Sequence, residues 1–585
     1  MMTSTGEIIP DPRAARYTPH VSWWTPEYRA TAERYAPRFG ALSAVCLLMV
    51  LMAWLGIGLR GLEREQHPNA LQACLEAYLR SGQYQLVNWL PCGEQAFTIA
   101  QQRDRLVLIE LGAYWSGRCQ RLGSEAFSDS GVADLINREF VAVKLDADAM
   151  PKRTRYLRQL AQLMGAPDRY PIVAWFTPDG KPVRAVAPDT RAELMRHLEE
   201  LSQMYRTRPA QIQQLAAQLE DAWNARWARP ARAATVGGVR EAFLNALPPL
   251  PTEPTEPTNA PPAFNLCHLE ALLTLAEQGD LTAQEQLLAR LRALHDSPYW
   301  DAERKTVQAL RDGIDPEGKP TGGARLIEQA RLLSLYSRAA RLDPELGSVA
   351  HALADGLRAQ FYRERPAGFI AALAPPKLRI AIAQGKGLPQ ADPMLFAEAN
   401  AHAVIALVDY AETFGTLDPQ AAWARQTAPR VLETLRALRA PRGDLFHSSM
   451  RTSSDWMPDL ALVARAAVRV HQLQPSPRTL QFAEQLLQRI WREYADPTGG
   501  FYDASRSKQW GDFKVVPVRV GADDADMPAD NALLALAMTE YAEASGDTRW
   551  RERARQLLQT LGGDYDPTQP LAYAGYTQAL ARIQP

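Results

Sequence analysis

Between residues 115 and 120 the chain reads Trp115-Ser116-Gly117-Arg118-Cys119-Gln120. An enzyme that exchanges disulfides needs an exposed, low-pKa thiolate at a helix N-terminus and a second thiol one turn later. Here Ser116 stands where the attacking thiol would be, and only Cys119 carries sulfur. A serine hydroxyl caps a helix N-terminus well. The stretch therefore predicts a helix that begins after Ser116, without dithiol chemistry.

Apolar runs alternate with helical patterns on both sides of this turn. The apolar runs cover 106–111, 140–146 and 170–176, and the helical patterns cover 94–102, 131–138 and 151–164. Strands that alternate with helices predict a βαβ arrangement. Pro171 opens the last run, where proline is tolerated, and Pro178-Asp179-Gly180 predicts a hairpin turn. We expect an α/β domain over 60–205.

Several of these segments resemble one known family. The chain reads Tyr78-Leu79 and then Val87-Asn88-Trp89-Leu90-Pro91-Cys92-Gly93-Glu94-Gln95-Ala96-Phe97, which is similar to the family segment YL…NPVDWYPWGEEAF. Ser124–Asp129 and Asn137–Val141 are similar to its segment ESFEDEEVAALLNEHFV. Both segments belong to the spermatogenesis-associated protein 20 family, in which a thioredoxin-like domain of unknown function precedes an (α/α)6 barrel. The resemblance implies that architecture here.

The turn at 115–120 departs from that family. It resembles the thioredoxin sequence Trp-Cys-Gly-Pro-Cys-Lys, but the family's Cys-His-Trp-Cys-His has become Ser116-Gly117-Arg118-Cys119-Gln120. Pro171 matches the proline that thioredoxin-like proteins keep in cis beside the active site. The resemblance thus implies a peptide groove formed by Trp115, Ser116, Cys119 and Pro171 that lacks a nucleophile.

The second half of the chain has a helical pattern. Residues 206–247 predict a helical connector, and the Pro/Thr/Glu-rich stretch 248–262 predicts a solvated linker. From 263 to 585, recurring helix pairs with glycine-aromatic exits predict an (α/α)6-like toroid, with a generic bundle as the alternative. Gly499–Asp503 and Pro528–Ala535 resemble the family segments GGGFFD and PSGNSVAAEAL, whereas its PHFEKMLYD segment has no counterpart.

One segment predicts a membrane anchor. Gly40–Leu59 is free of charged residues and long enough to cross a bilayer. Arginines precede it at positions 13, 16, 29, 34 and 38 and follow it at 60 and 64. The positive-inside rule then puts the leader 1–39 in the cytoplasm and the bulk of the chain in the periplasm, as a single-pass inner-membrane protein. A cleaved signal peptide and a buried core helix are the alternatives.

The cysteines and the charge restrict the chemistry further. Cys46 lies in the predicted span, and Cys74, Cys92, Cys119 and Cys267 follow it. A Cys74–Cys92 bridge is the favoured pairing, and four reduced thiols are the alternative. The sequence has no metal-ligand spacing and predicts neither a metal nor another cofactor. With a formal net charge of −1 and no basic block, nucleic acid is excluded as a partner.

A ligand in a helical toroid sits where the inner-helix ends and their loops converge. Acidic, amide, histidine and aromatic residues in those places are candidates for sugar binding or acid/base chemistry. They are Glu398, Asn400, His402, His447, Asp455, Trp456, Asp459, Asp524, Asp526 and Asn531. Each of them can also be an ordinary cap or turn residue.

Three functions are compatible with this sequence. The first is a membrane-anchored, non-catalytic protein with a protein partner, whose thioredoxin-like domain serves interaction or assembly. The second is a carbohydrate-active or epimerase-like toroid enzyme that binds a glycan. The third is a monothiol redox protein that works through Cys119. The missing nucleophile favours the first, and the expected fold is multidomain: a transmembrane helix, an α/β thioredoxin-like domain and an all-α toroid.

Overall fold

Two parts of different architecture make up the described chain. The computed structural model describes residues 68–91, 94–227, 237–250, 264–383, 390–441, 443–452, 454, 456–497, 499–504 and 527–583. Residues 68–227 form an α/β domain around one mixed sheet. Residues 237–583 form a ring of helices.

The α/β domain has a thioredoxin-like order of elements. Its strands are β1 (Leu90–Pro91), β2 (Leu106–Gly112), β3 (Phe140–Asp146), β4 (Ile172–Phe176) and β5 (Pro182–Val186). Its helices are α1 (Ala77–Ser81), α2 (Glu94–Arg103), α3 (Gly117–Glu125), α4 (Ser130–Glu139), α5 (Pro151–Leu163), α6 (Arg191–Thr207) and α7 (Pro209–Trp227), after a short 3-10 helix, Ala70–Ala73. The sequence pattern of alternating strands and helices is thus confirmed.

The sheet has the strand order β1-β3-β2-β4-β5. β1, β3 and β2 run parallel, and β4 and β5 each run antiparallel to the preceding neighbour. Every residue of β2, β3 and β4 is buried, as expected for apolar strands covered on both faces. The hairpin between β4 and β5 turns at Gly180, which has a positive φ of 86°.

Helix α7 belongs to the α/β domain and not to a separate connector. It packs against α6, α5 and β5, and it buries Ile212 and Ala216 completely. The boundary predicted at residue 205 is therefore too early. The helix carries a narrow apolar stripe within an Ala- and Gln-rich sequence. That stripe, spaced by four residues, is the side that faces the sheet.

The ring consists of helix pairs joined by short loops and hairpins. Its helices are α8 (Val239–Ala246), α9 (Leu266–Glu277), α10 (Leu281–His295), α11 (Leu326–Ala339), α12 (Gly347–Gly356), α13 (Pro376–Ala383), α14 (Ala397–Phe414), α15 (Pro419–Ala437), α16 (Met457–Leu473), α17 (Pro477–Glu493), α18 (Asp530–Ser545), α19 (Thr548–Gly562) and α20 (Ala574–Ile583). The connecting strands are β6 (Trp300–Asp301), β7 (Thr306–Val307), β8 (Tyr362–Glu364), β9 (Ala367–Phe369), β10 (Ala372–Leu373) and β11 (Ala391–Asp392), and single turns of 3-10 or π helix cover Leu310–Asp312, Pro344–Leu346, Leu357–Phe361 and Pro570–Tyr573.

The inner helices of the ring close on themselves. Going round, α9 packs on α11, α11 on α14, α14 on α16, α16 on α18, α18 on α20, and α20 returns to α9. Six further helices pack outside this circle, each on an inner one: α10 on α9, α12 on α11, α15 on α14, α17 on α16, α19 on α18 and α8 on α20. Helix α13 packs on α3 of the α/β domain. Inner helices such as α14 are buried on nearly every face, whereas α17 buries one stripe. This is the predicted toroid.

An amide side chain near the start of an inner helix holds a neighbouring loop. Asn400 accepts from Phe369 N at 2.8 Å and donates to Phe369 O at 3.0 Å. Asn531 holds Phe501 in the same way, at 3.0 and 3.1 Å. Gln329 makes the equivalent pair of bonds to Val307. Asn400 and Asn531, expected as ligand-binding residues, are therefore engaged with the chain itself, because the loops need partners for their buried backbone groups.

The predicted membrane location requires correction. The predicted transmembrane segment, 40–59, lies outside the described residues. Among the helices that the structure describes, none combines the length and the apolar character needed to cross a bilayer. The prediction of a single-pass inner-membrane protein with a periplasmic bulk is contradicted by this finding. It depended on one uncharged run of about 20 residues.

We expect Asn531→Ala to destabilise the protein by about 2 kcal/mol or more, because a buried N–H and a buried C=O lose their partner. Asn531→Asp keeps an acceptor for Phe501 N and should lose less. Urea unfolding of the full chain measures both, with the exposed Gln556→Ala as the control. Equal stability of Asn531→Ala and the control would show that the hydrogen bonds between Asn531 and Phe501 contribute nothing to the free energy of unfolding.

Candidate functional site

Ser116 caps helix α3 as the sequence predicts. Its hydroxyl oxygen accepts from Cys119 N at 3.2 Å, and the side chain is fully buried. The same hydroxyl donates to the Oδ1 atom of Asp312 at 2.6 Å. Asp312 comes from the helical ring, 196 residues further along the chain. The turn that resembles a redox site is thus an interdomain contact.

The Asp312 carboxylate occupies the N-terminus of α3. Its Oδ2 atom accepts from Gly117 N and from Thr321 Oγ1, both at 2.8 Å. Free N–H groups and the helix dipole make this position favourable for an anion. A thiolate at position 116 would face that carboxylate, and the two negative charges would repel each other. Asp312 therefore fits a serine at this position and opposes a reactive cysteine.

The ring backbone approaches the turn too closely for any solvent or substrate to intervene. Gly323 N donates to Trp115 O at 2.7 Å. A Cβ atom on Gly117 would lie 2.0 Å from Thr321 O, so this position requires glycine. Both contacts are between backbone groups, and they seal the turn from the outside.

Cys119 lies inside the α/β domain. The residue is 3% exposed, and burial, together with the charge of Glu110, raises the pKa of its thiol to about 12. Below it, Tyr78 donates to Glu110, and Lys144 Nζ lies 2.6 Å from the same carboxylate. A thiol with such a pKa has almost no thiolate at neutral pH, which makes it inert.

The cis proline is present, and its surroundings are covered. The Tyr170–Pro171 bond is cis, and the Tyr170 ring packs edge-on against Trp115 with centroids 5.8 Å apart. The guanidinium of Arg311, again from the ring, lies 5.3 Å from the Tyr170 ring centroid. A salt bridge joins Arg311 to Asp168. The implied peptide groove is therefore occupied by the protein's own ring.

A second set of contacts joins the α/β domain to the inner-helix ends. Arg155 on α5 makes two hydrogen bonds to Asp530, at 2.6 and 2.7 Å, and lies 3.4 Å from Asp503. Its guanidinium stacks on Trp456, 4.3 Å from the ring centroid. Lys152 donates to Ser454 O at 3.0 Å. Helix α5 thus lies across the loops that surround the inner-helix ends.

His447 bridges the same two parts of the protein. Its Nδ1 atom lies 2.9 Å from Asp459 Oδ2, and its Nε2 atom lies 2.8 Å from Asp148 O. Because both ring nitrogens face acceptors, both carry hydrogen, and the imidazole is positively charged. Burial lowers the pKa of His447, but the Asp459 carboxylate outweighs it and raises the pKa to about 9.

Two further candidates lie on one face of helix α14. Burial, followed by the charge of Asp459, raises the pKa of Glu398 to about 7. His402, one turn later, has its pKa held well below 6.5 by burial and by Arg331 and Arg465. Its buried Nε2 atom has no hydrogen-bond partner. The structure thus groups Glu398 with His447 and Asp459, close to the Arg155 contact.

The remaining candidates are placed elsewhere or lie outside the described residues. Asp455, Asp524, Asp526 and Cys92 belong to the undescribed part. Cys74 is partly exposed, and Cys119 and Cys267 are buried. The Cys74–Cys92 bridge stays a prediction, because Cys92 lies outside the described residues. No group of three His, Cys, Asp or Glu side chains within the described ranges is arranged to hold a metal ion.

The residues that connect the α/β domain to the ring are not predicted from the sequence. Asp312, Arg155 and Asp148 carry the contacts described above, and none belongs to a recognisable motif. Asp312 ends a single turn of 3-10 helix between the outer helix α10 and the inner helix α11. No local pattern distinguishes such an aspartate from a solvated turn residue, because its role depends on a partner far away in sequence.

Comparison with known proteins agrees with the thioredoxin-like domain. Residues 68–224 match the family Thioredox_DsbH, described as a protein of unknown function, DUF255. This segment belongs to that family. The human spermatogenesis-associated protein 20 is 26% identical over 115 residues, which cover 20% of this chain and 15% of the human protein. The mouse protein is 25% identical over 105 residues, which cover 18% and 13%. The resemblance to the spermatogenesis-associated protein 20 family is thereby confirmed, over a small part of those relatives' length.

Solved structures resemble the helical ring at low similarity. D-mannose isomerase has a TM-score of 0.44 and 12% identity, and covers 60% of this chain and 99% of its own. Cellobiose 2-epimerase from Spirochaeta thermophila DSM 6192 has a TM-score of 0.43 and 14% identity, covering 59% and 93%. The GH76A alpha-1,6-mannanase from Salegentibacter sp. HEL1_6 has a TM-score of 0.41 and 13% identity, covering 59% and 98%. The ring assignment itself follows from the packing of α9 to α20.

We expect Cys119 to resist alkylation in the folded full chain at pH 7, because a pKa of about 12 leaves roughly one thiol in 10⁵ ionised. Peptide mass after iodoacetamide treatment measures the labelling, with and without denaturant. The partly exposed Cys74 is the internal control and should react faster. Rapid native labelling of Cys119 would contradict the assignment of a packed, inert thiol.

Proposed function

We propose that this protein works by binding and not by catalysis, with its thioredoxin-like domain and helical ring serving protein interaction or assembly. The observation that carries the proposal is the contact of Ser116 with Asp312 at 2.6 Å. The position of an attacking thiol holds a hydroxyl, and that hydroxyl donates to a buried carboxylate. A position built in this way has no nucleophile to offer.

The other sulfur does not replace the missing one. Cys119 is buried, and its raised pKa removes the thiolate that any exchange reaction needs. The neighbouring Glu110 carboxylate opposes ionisation further. A monothiol redox function would require an accessible, acidic thiol at that place, so the geometry of Cys119 speaks against it.

A thioredoxin-like domain that lacks its redox thiol can still bind a protein partner. Trp115 and Pro171 remain in place, with Pro171 in cis, yet the ring covers this side. A partner would therefore bind the outer surface of the joined domains, not a redox groove. Fold alone does not define the partner.

The proposal predicts associations that do not depend on disulfide exchange. Tagged full-length protein, purified from its native cells, should retain the same proteins in the wild type and in Cys119→Ala. These associations should survive dithiothreitol, because no mixed disulfide holds them. Quantitative mass spectrometry measures the retained set, and Cys267→Ala, another buried cysteine, is the matched control.

Two results would contradict this proposal. Partners released by dithiothreitol, or lost only from Cys119→Ala, would indicate exchange chemistry. A protein that retains no partner above the untagged background in any variant would remove the binding function itself.

A second candidate, a toroid enzyme acting on carbohydrate, is favoured by one observation. Glu398 has a pKa raised to about 7 and lies near Asp459 and His447. A carboxylic acid that keeps its proton at neutral pH suits general acid catalysis. Against this candidate, Arg155 and helix α5 lie across the same inner-helix ends.

The enzyme candidate is tested with a panel of free aldoses and oligosaccharides. Under the binding proposal, mass spectrometry and chromatography should find every sugar unchanged. A catalytic Glu398 acting as an acid would instead give turnover that falls as the pH rises through about 7, since the acid then loses its proton. Glu398→Gln would abolish that turnover, whereas the exposed Glu199→Gln would retain it.

A further inference from the structure

Two buried carboxyl groups lie where the α/β domain contacts the ring, since helix α1 packs on both β3 and β11. Asp146 ends strand β3 of the α/β domain, and Asp392 ends strand β11 of the ring. The Oδ1 atom of Asp146 accepts from Asp148 N at 2.9 Å, and the Oδ1 atom of Asp392 accepts from Met394 N at 3.1 Å. The Oδ2 atom of each is buried and has no hydrogen-bond partner.

Such a pair cannot be fully ionised and closed at the same time. Asp146 is 2% exposed and Asp392 is fully buried, so neither charge is solvated. A buried carboxylate oxygen without a donor costs several kcal/mol in its charged form. The charge of Asp392 also disfavours ionisation of Asp146, as a neighbouring acid does. At least one of them must carry a proton while the interface is closed.

The neighbouring groups add negative charge. Asp148 and Glu76 both act on the pair and disfavour its ionisation further. The phenol of Tyr114 lies nearby, and burial together with the Asp392 charge raises the pKa of that phenol. Burial, followed by the neighbouring acids, raises the pKa of Asp392 to about 7 and that of Asp146 well above its usual range.

The cations in this neighbourhood are engaged elsewhere. Arg325 lies 3.6 Å from Asp148 and not on the pair. Lys144, two residues before Asp146 on β3, is paired with Glu110 at 2.6 Å. Within the described ranges, no group of three acidic, histidine or cysteine side chains is arranged to hold a metal. A proton is therefore the species that satisfies this site.

We propose that Asp146 and Asp392 form a proton-dependent latch between the thioredoxin-like domain and the helical ring, which holds at acidic pH and loosens as the pH rises. Loss of the proton leaves two buried, unsolvated negative charges at the interface, and separation of the two parts returns both to water. The inference holds whether the protein binds a partner or a substrate. It adds a regulated opening that would expose Ser116 and the Arg155 contact.

The sign of the pH dependence follows from the proton balance. The closed state holds a proton that the open state releases, over the range between the ordinary pKa of an aspartic acid, 3.8, and about 7. The opening equilibrium constant then rises about tenfold for each pH unit in that range. His447 acts in the same direction at higher pH, because a neutral imidazole keeps only one N–H and loses one of its two hydrogen bonds, to Asp459 or to Asp148 O, as the pH rises through about 9.

Two backbone amides report the opening directly. Gly117 N donates to Asp312 and Gly323 N donates to Trp115 O, so both acceptors lie across the interface. Hydrogen exchange of the full chain, read at these amides between pH 5 and 6.5 and divided by the intrinsic rates, gives the opening constant. We expect it to rise at least about 30-fold over that range.

The variant Asp392→Asn replaces the carboxyl group with a neutral side chain of the same shape. The rise of the opening constant between pH 5 and 6.5 should then shrink to a few-fold or less. The exposed Asp221→Asn on α7 is the matched control and should keep the wild-type slope. Asp146→Asn tests the same pair from the other domain, in case Asp392→Asn does not fold.

Three results would overturn the latch. The first is a wild-type opening constant that does not change between pH 5 and 6.5. The second is a wild-type slope in both Asp392→Asn and Asp146→Asn. The third is an opening constant at neutral pH that EDTA raises or added Ca²⁺ lowers, since a bound cation would then do what the latch assigns to a proton.

Discussion

The carboxylate of Asp312 at the N-terminus of helix α3 is the contact on which the rest of this structure depends. It is buried, and it receives hydrogen bonds from Ser116, Gly117 N and Thr321. Charge-assisted bonds of this kind, at a helix N-terminus, are among the stronger polar contacts in proteins. Ser116, in place of a nucleophile, and the acid at position 312 therefore form a single hydrogen-bonded arrangement. A thiolate at position 116 would be repelled by the Asp312 carboxylate, to which the Ser116 hydroxyl donates a hydrogen bond.

The interface covers both places where catalysis could be expected, the turn at Ser116 and the inner-helix ends of the ring. On one side, Asp312 and Gly323 of the ring seal the turn at Ser116. On the other, Arg155 of the α/β domain is bound by Asp530 and stacks on Trp456 at the inner-helix ends. Each part thus covers the site that the fold of the other part would otherwise present. The arrangement supports the binding function proposed above, and the proposed acid pair gives the joined domains a way to open.

Much of the fold could be predicted because its signals are local. The apolar runs of β2 and β3, the Ser116 cap and the helix pairs of the ring are all encoded within a few residues. The site was less predictable, since Asn531 looks like a ligand-binding residue in sequence, yet it holds the Phe501 backbone. Its partner is 30 residues away and becomes a neighbour only when the ring closes.

The features that could not be predicted from the sequence are mainly contacts between distant segments. Asp312 and Ser116 are separated by 196 residues, and no spacing rule connects them. Residues 206–247 are predicted as a connector, yet Ile212 and Ala216 of helix α7 are buried where that helix packs on the α/β domain. The grouping of Glu398 with Asp459 and His447 depends on the ring bringing α14 and α16 together.

A double-mutant cycle between Ser116 and Asp312 tests the central claim most directly. The free energy of unfolding of the full chain would be measured for the wild type, Ser116→Ala, Asp312→Ala and the double variant. If the two parts are joined through this buried contact, the two substitutions should be coupled by about 1–3 kcal/mol, as expected for a hydrogen bond to a charged group. Strict additivity would show that the two side chains do not interact in the folded protein, and it would contradict the account.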